Sequence, residues 1–281
     1  MDLFVFLAVL GAALCHAAWN AGLKMRVDPA VAVTILGIAS GALALPLLAV
    51  TGFPGRDSWL HLAASIVIHV LYFMALAEGY RSGDLSMVYP IARGAAPLLT
   101  TFASLLVLAE PLPAWGLAGI LLLTSGVLLL SLPRSTAQAR LDGRAIGYAL
   151  LTAFLIASYT IIDGRGARLA GSPHAYAVAF FAGNGLAMGL IGFVRQRAAL
   201  SAALKSGWLI PFGGGVLSFV SYWVAIWAMT KAPIALVAAL REASVLFAAA
   251  LGVILLKEPL VAARIIAAVL VVAGLVLIRL G

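Results

Sequence analysis

Residues 88–112, VYPIARGAAPLLTTFASLLVLAEPL, and residues 236–260, LVAALREASVLFAAALGVILLKEPL, decide the fold. Each carries an arginine, Arg93 or Arg241, inside a helix-length apolar run, followed seventeen residues later by Glu-Pro-Leu. An unpaired guanidinium in hydrocarbon costs at least roughly 3 kcal/mol. A chain that places two in matching positions is building a polar path through a membrane.

The surrounding composition agrees. Of 281 residues 64% are hydrophobic and 10% charged, and the mean hydropathy is +1.13, outside the range of a soluble domain. Apolar runs of about twenty residues, enough to cross the hydrocarbon layer as helices, recur from end to end. The first run, 3–23, lacks the basic leader of a secretory signal and reads as the first spanning helix. The continuous runs exclude a β-barrel, whose strands alternate apolar and polar residues. Cys15 is the single cysteine and the four histidines are scattered, so no disulfide, zinc site or other cofactor is expected. The net charge of +8 lies mostly in short loops, as at 134–144 and 195–197. Basic loops beside apolar helices serve topology and anionic headgroups rather than nucleic acid.

Runs between turn signals predict ten spans, at 3–23, 30–51, 59–80, 85–108, 112–132, 145–163, 173–194, 207–230, 234–256 and 260–279. Residues 72–126 align with 222–274 after one two-residue gap, pairing Tyr72 with Tyr222, Arg93 with Arg241, Glu110-Pro111-Leu112 with Glu258-Pro259-Leu260, and Gly126 with Gly274. Five spans per half make the second copy enter from the opposite face. The expected fold is therefore an all-α integral membrane protein: ten transmembrane helices in two inverted five-helix repeats, 1–132 and 145–281, joined by a linker at 133–144 around a central cavity. Loop charge, eleven Lys and Arg on one side against five on the other, places both termini outside.

Several side chains are candidates for the site. Arg93 and Arg241 either supply guanidinium donors to a carboxylate in the cavity or snorkel to the interface. Glu242 follows Arg241 but points about 100° away around the helix, so one can face the cavity while the other bonds a neighbouring helix. Glu78 is a helix-end partner of Arg81 or a coupling acid. His69 is a titrating group or a structural histidine bonded to a carbonyl. His16, Trp19 and Asn20 share one face of the first helix, lining a cavity or joining two helices. Tyr72, Tyr89, Tyr159, Tyr222, Trp223 and Trp227 either wall a solute site or pack the bundle, and Asn184, between two glycines, has the same two readings. Pro90 and Pro97 bracket Arg93, where each removes a backbone hydrogen bond and either exposes a carbonyl or allows the fourth helix to bend, whereas the ninth has no such prolines.

With ten spans, inverted halves, Trp19 and Asn20 in the first helix and the Glu-Pro-Leu corner after the fourth and ninth, the chain resembles the EamA-type branch of the drug/metabolite transporter superfamily, and within it the YddG-like amino acid exporters. The resemblance covers the whole chain. It implies a monomeric ten-helix basket in the plasma (inner) membrane of a bacterium, carrying amino acids or similar small metabolites out by alternating access. It places Trp19, Tyr72, Arg93, Tyr159, Trp223 and Arg241 at the cavity, and both termini in the cytoplasm, against the loop charge. The partners implied are a small-molecule solute and the lipid bilayer.

The leading expectation is a secondary transporter for zwitterionic or anionic solutes. Efflux of lipophilic cations would need an accessible acid, Glu78 or Glu242, and the buried arginines oppose it. An intramembrane enzyme would need clustered aspartates, paired carboxylates or a nucleophile with its base. The aspartates here are isolated and mostly in loops, so no enzyme is expected. A channel would need a filter-like ring, and none stands out.

Overall fold

The computed structural model describes residues 1–23, 28–82, 85–130, 143–207, 209–256 and 262–280. Every regular element among them is a helix: α1 (Leu3–Leu23), α2 (Pro29–Thr51), a 3-10 turn (Arg56–Ser58), α3 (Trp59–Ser82), α4 (Leu85–Val107), α5 (Ala114–Leu130), α6 (Gly143–Leu169), α7 (Pro173–Arg195), α8 (Arg197–Gly207), α9 (Leu209–Ala228), α10 (Ile234–Arg241), α11 (Ala243–Leu256) and α12 (Ala262–Leu280). The second Glu-Pro-Leu and most of the central linker lie outside the described residues. Seven segments are long and apolar enough to cross a membrane, and three shorter apolar helices, Ile91–Val107, Ala114–Leu130 and Phe212–Ala228, occupy the fourth, fifth and eighth expected spans.

Local chemistry sets the helix starts. Asp28 caps α2, its carboxylate accepting from the Ala30 and Val31 N–H groups at 2.9 and 3.3 Å, with Pro29 in the first turn. Ser172 caps α7 ahead of Pro173 in the same way. The start of α10 is capped from elsewhere: Glu110 Oε2 accepts the Ile234 N–H at 3.0 Å, and its other oxygen accepts from Arg168 at 2.8 Å. The first Glu-Pro-Leu corner is thus a clamp on the beginning of α10, set up by Ala109 in the left-handed region at φ 48°.

Large apolar side chains such as Phe4, Leu60, Phe102, Leu190 and Phe193 point outward, where lipid receives them. Inside, α10 is buried along its whole length. Helices meet closely where side chains are smallest. A Cβ built on Gly41 would come within 2.6 Å of the Gly185 Cα, and one on Gly185 within 2.5 Å of the Gly41 Cα, so α2 and α7 touch backbone to backbone. Other long contacts join α5 to α12, α3 to α6, α1 to α9 and α4 to α6. Arg279 Nη1 donates to the Met1 carbonyl at 2.8 Å. Since successive spans alternate, the turns after α2, α4, α6 and α9 share the face of the two chain ends. Gly55 N–H donates to the Ala170 carbonyl across that face at 2.9 Å.

Three elements differ from expectation. The proline-free ninth span breaks into α10 and α11 at Glu242, whose N–H bonds back only three residues to the Ala239 carbonyl at 2.9 Å. The cause is tertiary: Glu242 is drawn toward α4, as the site shows. The sixth helix runs to Leu169 rather than stopping at 163. Its last turns carry Gly164 and Gly166, which read as a loop signal but make room for the Ile234 side chain and the Tyr176 ring. A short helix, α8, fills the basic connection before the eighth span.

Candidate functional site

The ends of α10 and α11 meet in the middle of the bundle, and two guanidinium groups arrive there in different company. Arg93 reaches across from α4, its Nε 2.9 Å from Glu242 Oε2 and its Nη2 donating to Ser244 Oγ at 3.0 Å. The two side chains are 6% and 4% exposed, a buried ion pair. Arg241, one residue before Glu242, turns the other way. Its Cζ sits 4.8 Å from the centroid of the Tyr222 ring, within cation–π range, and among the described residues it makes no hydrogen bond or ion pair.

Arg241 faces a cavity of about 60 Å³. One wall is aromatic: the His69 ring stacks on Tyr159 at 3.9 Å and tilts against Phe180 at 4.5 Å, and Tyr72 meets Tyr159 edge-on at 5.6 Å. His69 is fixed through Nδ1, 3.0 Å from the Ser65 carbonyl and 3.2 Å from its hydroxyl. On the far side α1 supplies His16 and Trp19, α2 supplies Ser40, and α7 supplies Asn184. Two polar atoms of this lining are buried without partners, Trp19 Nε1, a donor, and Asn184 Oδ1, an acceptor.

Behind Tyr222 lies a carboxylate that does not touch the cavity. Asp163 of α6 is fully buried; its Oδ1 accepts from the Tyr176 hydroxyl at 2.9 Å and its Oδ2 from the Tyr222 hydroxyl at 2.5 Å. Sequence reading missed it because the sixth span seemed to end there. The available signal was the spacing of four from Tyr159, which puts both on one helix face.

Of the residues singled out from sequence, Trp19, His69, Tyr72, Tyr159, Tyr222 and Arg241 come together at the cavity, with His16 and Asn184, the latter buried under the close α2–α7 contact. The Tyr89 side chain lies outside the described residues, and the others lie elsewhere. Arg93 and Glu242 satisfy each other beside the cavity. Asn20 bonds back to the His16 carbonyl at 3.1 Å. Trp223 donates to His174 Nδ1 at 3.0 Å, and Trp227 packs edge-on against Phe4 at 5.8 Å. Glu78 pairs with Arg81 at 2.9 Å on an exposed helix end. Among the described residues no three His, Cys, Asp or Glu side chains come together.

Comparison with known proteins follows the same lines. A solved structure titled only as the crystal structure of a protein superposes with a TM-score of 0.78 at 17% identity, over 99% of this chain and 96% of that one, which fixes the fold as shared. No curated protein matches. The family model of the EamA-like transporters matches residues 2–132 and again 143–280, together nearly the whole chain and divided at the central linker. A multi-pass helical membrane protein with that double match belongs to the EamA-like transporter family.

Proposed function

We propose that this transporter carries amino acids or closely similar small zwitterionic metabolites across the plasma (inner) membrane of a bacterium, outward, as a monomer working by alternating access. The observation that carries the reading is the uncompensated polarity of one cavity: the Arg241 fork and Trp19 Nε1 offer donors, and Asn184 Oδ1 offers an acceptor. A buried polar group without a partner costs about 1–3 kcal/mol, and an α-amino acid offers partners to all three, its carboxylate to the guanidinium and the indole N–H and its ammonium to the amide oxygen. The aromatic wall of His69, Tyr72 and Tyr159 accommodates the side chain. Every group involved comes from one chain.

Two inverted repeats, 1–132 and 145–281 about a linker at 133–144, supply the mechanism. In the alignment that pairs Arg93 with Arg241, Gly119 pairs with Ala267 and Gly126 with Gly274. A Cβ on Gly119 would strike the Gly274 carbonyl, and one on Gly126 the Ala267 carbonyl. Exchanging the halves turns each contact into the other, as a two-fold axis in the membrane plane requires.

The competing reading, efflux of lipophilic cations, requires an acid at the cavity. Among the described residues no carboxylate lines it, and Glu78 and Glu242 are both held in ion pairs. The test is uptake and counterflow of the twenty labelled L-amino acids in proteoliposomes. Arg241→Gln is expected to lower transport by about 100-fold or more, the weight of a charge-assisted hydrogen bond of about 3 kcal/mol, with the protein still monodisperse. Unchanged transport by that variant, or transport of labelled lipophilic cations in place of amino acids, would overturn the reading.

A further inference from the structure

Asp163 is the buried carboxylate that nothing in the transport reading uses. Among the described residues no cation lies within ion-pair distance of it. Its company is mostly hydroxyl groups: Tyr176 from α7, Tyr222 from α9 and Ser65 from α3. The titratable and charged groups beyond these are His69 of α3, Tyr159 one turn back on α6, Arg241 of α10 on the other side of the Tyr222 ring, and Arg93 of α4, already held by Glu242. The 3-10 turn packed against α6 contributes only Arg56 and Asp57, both exposed.

We propose that Asp163 is a proton-binding site linked to the solute: ionised while the cavity is empty, it takes up one proton when a solute carboxylate settles on Arg241. This rests on the carboxylate-binding reading of Arg241 given above. The buried charges of the bundle centre balance in the empty state, Arg93 against Glu242 directly and Arg241 against Asp163 across the Tyr222 ring. A solute carboxylate on Arg241 withdraws that compensation and leaves Asp163 a bare negative charge in a medium of low dielectric constant. Protonation removes it.

The hydrogen bonds allow this change on one side only. Both tyrosines now donate to the carboxylate. A carboxylic acid must itself donate one proton, so one hydroxyl has to become an acceptor. Tyr176 is fully buried and, among the described residues, has no second partner to turn to. Tyr222 lines the cavity, and its hydroxyl is the group that would exchange protons with water there. A hydronium ion there gives its proton to the Tyr222 oxygen as the original O–H proton passes to Asp163 Oδ2. Water is left in the cavity, the phenol is restored, and the carboxylate has become the acid. Tyr222 is therefore both the platform under Arg241 and the path by which the proton arrives.

The test uses purified full-length protein in weakly buffered detergent with a pH-indicating dye and, as probe, a mixture of the twenty L-amino acids. Wild type is expected to take up about one proton for each solute bound, and Asp163→Asn to bind with none. Binding by wild type without proton uptake overturns the coupling and leaves the carrier reading standing. Loss of binding on replacing sodium by choline at fixed pH overturns it as well, since Asp163 would then be holding a metal cation. If no amino acid binds, the carrier reading fails, and infrared titration of the empty protein decides for Asp163. A protonated carboxyl band that grows as the pH falls and is missing in Asp163→Asn supports the site; its absence from wild type overturns it. Should Asp163→Asn not fold, Tyr176→Phe keeps the carboxylate and Tyr222 and removes one donor. It is expected to move the titration midpoint by about one unit, whereas a packing role alone would leave the midpoint where it is.

Discussion

Arg93 and Arg241 occupy matching positions and differ in counter-charge. Arg93 is neutralised by Glu242 at 2.9 Å and so holds α4 to the junction of α10 and α11, while Arg241 keeps its fork for the cavity. Removing Arg93 leaves a carboxylate buried and alone. Arg93→Ala is expected to destabilise the protein by about 3–5 kcal/mol, read as a lower thermal midpoint in detergent, and Arg93→Met with Glu242→Leu to recover most of that loss. If the double variant is no more stable than the single, the pair is not what supports the junction. The arginines themselves were legible in the sequence, because charge within an apolar run is conspicuous. Their division of labour was not, since it depends on which of two adjacent side chains, Arg241 or Glu242, turns toward α4. Asp163 stayed hidden for a related reason: two glycines and two arginines follow it, and local propensity cannot tell a loop from a helix whose glycines face Ile234 and Tyr176.

Among the elements, the pairing of α2 with α7 tolerates the least change. A methyl group on Gly185 meets the Gly41 backbone at 2.5 Å, where no rotamer can yield. Gly185→Ala is expected to cost about 1–3 kcal/mol through overpacking and to disturb Asn184, its neighbour at the cavity. The matching change at Gly189, where the nearest atom is a side-chain carbon at 3.8 Å, should be nearly silent, and equal effects at the two positions would refute the packing argument. The clamp on α10 is open to a separate test. Glu110→Ala orphans the Ile234 N–H and releases Arg168, an expected loss of about 1–3 kcal/mol, and it should increase hydrogen exchange in the first turn of α10 before it affects any other helix. Most helix positions could be read from apolar runs and turn residues. The break at Glu242 could not, because its cause is a partner on α4 rather than a local breaker.

For the whole molecule, the size of the cavity limits the cargo in this conformation. A water needs roughly 10–15 Å³ of such space, so about 60 Å³ takes a solute of a few heavy atoms. Glycine, alanine and serine are expected to compete with one another in counterflow, and Phe73→Ala, which enlarges the lining, to shift preference toward larger side chains. Equal competition by tryptophan in wild type would show that the chamber opens much wider during the cycle. The bond from Arg279 to the Met1 carbonyl bears on a question that loop charge and family resemblance answer in opposite ways. With Met1 and Arg279 side by side, the first and last helices open onto a single compartment. Green fluorescent protein fused at either end must therefore glow in both fusions or in neither, and alkaline phosphatase must give the opposite result. One pair of fusions assigns every loop at once, and with it the direction in which cargo leaves the cell or enters it.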